Sequence, residues 1–439
     1  MNRIKESFPF PIQELENIKR RMLYWANQHN ILLFLDSNNY TNAIGSYECL
    51  MAVGAHDMIN NDDGAFTAIK KHQMQQKDWL FGHIAYDFKN KLEQLQSNHP
   101  KKFHFAELSF FCPQIVCYIP RGSNQICIES ITLNPFDIWQ EIQNQKIEIQ
   151  DTHLNEIEFI KRSDKDDYIQ IIEQLKKHLK EGDCYEINFC NEAYCHDAII
   201  NPLICFEQLN THSKAPFAAY YKLDEQYLMC ASPERYLRKE GNKIIAQPIK
   251  GTAARKDNID EDEQQKQALF HSIKERAEHI MIVDLMRNDL ARFCEIDSVN
   301  VDELLGIYSF PQVHQMISTI SGQLHADFDL FDAVQYSFPM GSMTGAPKIM
   351  VMQLIEQYEK SRRELFSGCV GYISPDGDFD FNVVIRSLFY NATSQYLSYQ
   401  TGGAITSDSI AEQEWEETCL KAKALENIFK HYKKSNISK

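Results

Sequence analysis

No C-x-x-C pair occurs in this chain. Its twelve cysteines are scattered, at positions such as Cys49, Cys112, Cys184, Cys294 and Cys419. That spacing excludes zinc ribbons and dithiol redox motifs, and leaves buried small hydrophobes in a reducing compartment. Long apolar runs are missing too. None approaches the ~18 residues that span a membrane. The opening MNRIKESFPFPIQ has no continuous apolar core of a signal peptide. A soluble cytoplasmic protein with no membrane partner is expected. Basic charge is in deficit: 45 Lys and Arg stand against 61 Asp and Glu, a formal net charge of −16. A nucleic-acid binder needs a basic face, so no nucleic-acid partner is expected either. The G-x-G-x-x-G dinucleotide fingerprint and the G-x-x-x-x-G-K-[ST] phosphate loop are absent. No internal repeat is visible, and the one biased stretch is the acidic, glutamine-rich 257–267.

What is present is the patterning of a large mixed fold. A chain of 439 residues fits one large unit or two joined lobes. Short β-like runs fill the first 150 residues: Ile31–Leu35, Trp79–Tyr86, and two more strands around Pro113. The polar segment Gln140–Asn155 reads as the seam between an N-terminal lobe, 1–155, and a second region, 164–435. Helical spacing predicts Asp166–Lys180, a single long helix over Asp262–Met286, and a closing helix over Ala411–His431. Strands are predicted at Tyr185–Cys190, Pro216–Tyr221, Gln226–Cys230, Lys243–Ala246, Val370–Ser374, Phe381–Leu388 and Tyr396–Tyr399. The turn Pro375-Asp376-Gly377 joins two of them as a hairpin. Hairpin-linked strands with fewer helices point to an α+β fold of large antiparallel sheets rather than a doubly wound one.

Several constellations carry chemistry. Glu275 and Glu278 share one helix face, and so do Glu414 and Glu417. Four carboxylates from two helices suit a hard cation with positions left open for an anionic substrate. Two solvated helix faces give the same pattern. Lys421 lies on the Glu414–Glu417 stripe, either in an ion pair with Glu417 or beside a substrate carboxylate. Gly341-Ser342-Met343-Thr344-Gly345-Ala346-Pro347 leads into a helix near Pro347, and Thr401-Gly402-Gly403 makes a tight turn. Both offer backbone N–H groups to an anion, and both also suit plain junctions. Arg386 sits among apolar neighbours (FNVVIRSLFY) and calls for an anionic partner or an outward orientation. Glu234 and Lys250 could pair as acid and nucleophile on neighbouring strands, because a desolvated lysine can lose its proton near neutral pH. A surface salt bridge is the plainer alternative. His314 alone is more often structural than catalytic.

Together these segments resemble one family, the chorismate-utilising enzymes: the large subunits of anthranilate and aminodeoxychorismate synthases, with the isochorismate and salicylate synthases. The segments are ASPERYL (231–237), PIKGTAAR (248–255), ERAEHIMIVDLMRNDLARFC (275–294), VHQMISTISG (313–322), FPMGSMTGAPK (338–348), SGCVGYISPDGDFDFNVVIRSL (367–388) and TGGAITSDSIAEQEWEETCLKA (401–422), in family order. WLFGHIAYDFKN (79–90) and ILLFLDS (31–37) extend the likeness weakly into the first half, which corresponds to the N-terminal lobe of anthranilate synthase component I. The resemblance implies face-to-face antiparallel sheets with helices outside. It implies Mg2+ held directly by Glu278 and Glu417, with Glu275 and Glu414 assisting through water. Arg386, the Gly402 backbone and Lys421 would hold the carboxylates of chorismate. Thr344 and His314 would line the ring pocket, and Glu234 would protonate the departing 4-hydroxyl.

Lys250 selects a branch within that family. Anthranilate and salicylate synthases usually read P-I/L-A-G-T where this chain reads P-I-K-G-T, as aminodeoxychorismate synthases do. A lysine amine that adds at ring carbon 2 splits one hard displacement at carbon 4 into two easier steps. Glu186 stands where isochorismate-forming relatives place a base lysine, which disfavours water addition. Ammonia-using members commonly have glutamine there. Phe366 replaces the usual tyrosine or tryptophan. The G-x-C-x-G elbow of glutamine amidotransferases is absent, so ammonia is expected from a separate amidotransferase subunit. Tryptophan in the N-terminal lobe is a further partner that the family suggests. Two alternatives remain: anthranilate synthase component I, and a non-catalytic tryptophan-binding regulatory subunit.

Overall fold

The computed structural model describes residues 2–40, 45–60, 64–147, 157–310 and 313–430. The expected limits at residues 155 and 435, and the helix end at His431, lie outside them. Twenty strands join in one hydrogen-bonded network. Every ladder in it is antiparallel. Early strands pair with late ones. Ile31–Asp36 lies against Phe217–Leu223, and Leu80–Ile84 lies against Cys369–Ile373.

The layering follows from side-chain alternation. In Ile31–Asp36, Leu33 enters one core with Trp79, Phe81 and Phe110, while Leu32 and Phe34 enter another with Met22, Met51 and Tyr220. Successive strand residues point to opposite faces, so a run that is apolar on every position is a strand covered on both sides. Helices close the outer faces. Leu15–Ala26 and Ala411–Lys430 contribute Met22, Leu23, Ala422 and Leu425 to the second core. Lys165–Glu181 packs Tyr168, Ile172 and Leu175 against Val351 and Leu354. Its start and end are local chemistry: the Asp164 side chain accepts from Asp167 N, and Gly182 closes the helix at φ 86°.

Four expectations change. The long helix is two, Ile259–His271 and Ile273–Ala291, divided at Ser272, whose extended backbone caps both. Ser272 Oγ accepts from Glu275 N at 3.3 Å, which starts the second helix immediately before the first glutamate pair. Pro113 does not divide two strands. Leu108–Pro120 runs through it, because the partner strand bulges between Ala55 and Asp57, beside Pro113, where no proline N–H can be given. The seam at Gln140 begins inside a helix, Pro135–Asn144, which has Asn134 as cap and Trp139 and Ile142 buried. Arg386 is not on a strand. It lies between Phe379–Val383 and Ser387–Asn391 at φ 53°, which breaks the alternation that would have aimed it outward.

One buried cation ties the parts that carry the site. Arg363 donates to Glu359 at 2.9 and 2.6 Å, to the Met343 carbonyl at 2.7 Å and to the Asn188 carbonyl at 2.7 Å. It thereby clamps the 341–347 loop onto the strand Glu186–Cys195. Removing one member of a buried pair leaves the other uncompensated. Arg363→Ala is expected to lower unfolding free energy by about 3–5 kcal/mol, read as a lower urea midpoint. An unchanged midpoint would show that the clamp is dispensable.

Candidate active site

The sheet edges, two helix ends and two tight loops enclose a cavity of about 450 Å³. Lys250 and Gly251 reach it from the strand Ile249–Ala254. Glu234 reaches it from the bend after Gln226–Ser232, and Thr401 to Ala404 form a rim from the strand Tyr396–Ile405. Glu275 and Glu278 descend from Ile273–Ala291, and Glu414, Glu417 and Lys421 from the closing helix. Arg386 completes the wall. Residues widely separated in sequence therefore share one chamber.

Glu234 is buried, and Ser342 Oγ donates to its Oε1 at 2.6 Å. Burial pushes its carboxyl up to about 7, against the opposing pull of the Ser342 hydrogen bond and the Lys250 charge. At neutral pH much of this group carries a proton and can act as an acid.

Lys250 differs from the expectation of a desolvated, neutral amine. Its Nζ donates to Glu186 Oε1 at 2.7 Å. Burial alone lowers its pKa. The negative charge and hydrogen bond of Glu186, with the charges of Glu278 and Glu234, outweigh burial and raise it. The resting lysine is therefore an ammonium ion in a nest of carboxylates.

Three of the four metal-type glutamates are shifted by their surroundings. Burial pushes Glu278 up to about 7, although Lys250 and Lys274 pull it down. Burial and then Glu417 raise Glu275. Burial also acts on Glu417, but the charge and hydrogen bond of Lys421 outweigh it and lower that group. Lys421 Nζ lies 2.7 Å from Glu417 and donates to the Gly402 carbonyl at 2.7 Å. Lys274 Nζ sits 3.8 Å from Glu278 and 3.5 Å from Glu414, a movable cation among them. Glu278 Oε1 is buried with no hydrogen-bond partner. An orphaned carboxylate oxygen beside like charges suits a divalent cation. Among the described residues no three of these glutamates bring ligand atoms within 4.8 Å of one another. The four glutamates are thus not gathered into a preformed three-carboxylate cluster, and the orphaned Glu278 Oε1 is the observation that suits a cation.

Arg386 is half-buried and has no ion pair among the described residues; desolvation lowers its pKa and the charge of Glu417 opposes that. A cation so placed awaits an anion. Three expected wall residues lie elsewhere. Glu186 is behind Lys250. Thr344 donates from its hydroxyl to the Met340 carbonyl at 3.0 Å, and its backbone carbonyl accepts from Asn188 N at 2.7 Å, so it anchors the loop. His314 faces away, with Ser309 at 2.8 Å and Asp262 at 3.0 Å on its two ring nitrogens. Its strand neighbours Val313 and Gln315 line the cavity instead. Ser342 and Lys274 were not singled out from sequence. The hydroxyl of Ser342 was visible in the glycine loop, and Lys274 precedes Glu278 at the spacing of a helical ion pair.

Residues 33–427 match the model of the chorismate binding enzyme family. The chain belongs to this family of chorismate-utilising enzymes. An anthranilate synthase component I-like protein of Synechocystis is 33% identical over 83% of this chain and 75% of its own length. Aminodeoxychorismate synthase component 1 of Klebsiella aerogenes is 38% identical over 58% of this chain and 56% of its own. The match spans 30% of the probable chloroplastic aminodeoxychorismate synthase of rice. The menaquinone-specific isochorismate synthase of Escherichia coli superposes with a TM-score of 0.78 at 18% identity, covering 98% of this chain and 95% of that one. That likeness establishes the fold.

Glu234 also yields a stability test. Its folded pKa, about 7, lies above the ordinary 4.5, so the folded state binds its proton more tightly than the unfolded one. The resulting stability is present at low pH and is lost as pH rises from about 4.5 to about 7. Glu234→Gln is expected to remove this loss, on the order of 3 kcal/mol, when urea midpoints are compared at acidic and alkaline pH. Parallel pH curves for the two proteins would refute the assignment.

Proposed function

We propose that this chain converts chorismate and ammonia to 4-amino-4-deoxychorismate, a step towards para-aminobenzoate and folate. The observation that carries the reading is Lys250 on the cavity wall beside the protonated acid Glu234. The amine of Lys250 adds at ring carbon 2, and Glu234 protonates the 4-hydroxyl as it leaves. Ammonia then adds at carbon 4 and expels the lysine. Covalent catalysis replaces one difficult substitution with two allylic ones. Arg386, Lys421 and the Gly402 backbone would orient the two substrate carboxylates. The names of several relatives, aminodeoxychorismate synthase component 1, support the same branch.

Glu278 and Glu417 would hold Mg2+, with Glu275 and Glu414 assisting. The ion would supply positive charge to a substrate carboxylate at the glutamate end of the cavity. Lys274 would have to swing aside. Ammonia would come from a separate glutamine amidotransferase subunit, with free ammonium as a poorer substitute. No helix among the described residues is long and apolar enough to cross a membrane, and we assign the activity to the cytoplasm.

A second reading is anthranilate synthase component I. The relatives with those names match over more of this chain, 83% and 79%. Lysine at 250 opposes it, because anthranilate formation needs no enzyme amine at carbon 2.

With chorismate, Mg2+ and ammonium, Lys250→Ala is expected to lose at least about 10³-fold in aminated product, measured by chromatography. A variant as active as the wild type would remove the lysine from the chemistry. Mg2+ alone should raise the Tm of the wild-type protein and leave that of Glu278→Gln unmoved. An equal rise in both would place the ion elsewhere.

A further inference from the structure

The amine of Lys250 makes a single hydrogen bond among the described residues, and its partner is Glu186. Glu186 has no part in the steps above. Its side chain is 1% exposed, and its second oxygen, Oε2, is buried without a partner. The seal over it is built by backbone. Gly345 and Ala346 pair with Ile187 and Glu186, and a Cβ on Gly345 would lie 2.0 Å from the Glu186 carbonyl oxygen. Only glycine permits that approach, and Gly345 adopts φ 136° to make it. Glu186 therefore touches the nucleophile from the side away from the substrate.

Other charged groups face Lys250. Glu275 and Glu278 come from one helix, Glu417 from the closing helix, and Glu234 from its bend. The His279 ring is held neutral by burial, pushed down to about 4, and the Cys190 thiol is pushed up to about 12. Of all of these, Glu186 alone lies within ion-pair distance of Nζ.

We propose that Glu186 is the proton acceptor that converts Lys250 from its resting ammonium into the nucleophile, so that the pair performs the first step as a unit. This rests on the reading of Lys250 as nucleophile. One N–H bond of Lys250 breaks and its proton passes to Glu186 Oε1. The lone pair set free on Nζ forms the bond to ring carbon 2. The carbon 1–carbon 2 π electrons shift to carbons 1 and 6, those of carbons 5 and 6 shift to carbons 4 and 5, and the carbon 4 oxygen leaves as water with the proton of Glu234. The adduct carries a secondary ammonium. When ammonia bonds to carbon 4, the π electrons shift back and the carbon–Nζ electron pair returns to Nζ as a neutral amine. Glu186 then gives its proton back, restoring the ion pair. The new carbon 4 ammonium reprotonates Glu234, and every group ends as it began. Glutamine at 186 could accept a hydrogen bond but could not take the proton.

The test measures adduct formation without ammonia. Wild-type protein, Glu186→Gln and Glu186→Asp are mixed with chorismate and Mg2+ at about pH 6 to pH 9, quenched, and the mass of chorismate less water on the Lys250 peptide is followed in time. In the wild type the proton stays inside the pair, and the rate should only decline above about pH 7 as the acid Glu234 loses its proton. In Glu186→Gln it must reach solvent, so the rate should fall about 10²-fold at pH 7, and its ratio to the wild-type rate should climb with pH. Glu186→Asp should recover part of the rate with the wild-type profile. A Glu186→Gln rate equal to or above wild type at pH 7 overturns the proposal while leaving the lysine reading intact. Should Glu186→Gln not fold, a Glu186→Asp rate whose ratio to wild type climbs with pH overturns it equally. A wild-type protein that makes aminated product but never an adduct overturns both.

Discussion

An ammonium held among carboxylates is the constraint around which this site is organised. Lys250 is largely withdrawn from water, with its side chain 12% exposed, and a lone lysine so desolvated would hold its proton less tightly. It keeps that proton because Glu186 touches it and Glu278 and Glu234 stand near. The same charge works in the other direction, since Lys250 holds Glu234 and Glu278 below the values that burial alone would give. Glu234, Lys250 and Glu278 are thus one coupled electrostatic system. A change at any member moves the others, so single substitutions here report on the group as a whole.

The fold supplies that coupling by lamination. Antiparallel ladders bring strands from distant parts of the sequence edge to edge, and the cavity opens where several of them end. The close approaches are made by glycine. A Cβ on Gly402 would meet the Phe189 carbonyl oxygen at 2.1 Å, so the strands Glu186–Cys195 and Tyr396–Ile405 pack too tightly for any other residue. Arg363 then locks the loop bearing Ser342 to the strand bearing Glu186. Ser342, which bonds Glu234, and Glu186, which bonds Lys250, are positioned by the same buried guanidinium.

Much of this was legible in the sequence, and the reasons differ by residue. The antiparallel class followed from hairpin spacing, and the two glutamate pairs followed from helical spacing. Both signals are local. The break at Ser272 was not seen because apolar residues continue in register on either side of it, and a serine cap declares itself only through its backbone. Arg386 was expected on a strand because its neighbours are apolar; its left-handed backbone is imposed by tertiary packing. His314 was placed in the ring pocket by resemblance, yet strand alternation turns it towards Asp262. Lys250 stood out in the sequence, but its protonation state depends on Glu186, which only the folded chain brings to it.

The central claim is that the amine arrives at ring carbon 4. Its most direct test is the position of nitrogen in the product. The purified chain, chorismate, Mg2+ and 15N-labelled ammonium are incubated together, and the product is read by NMR. Coupling of 15N to carbon 4 and its proton, with the enolpyruvyl side chain retained, is the predicted result. An aromatic product with 15N on carbon 2 would contradict the account and assign this chain to anthranilate formation.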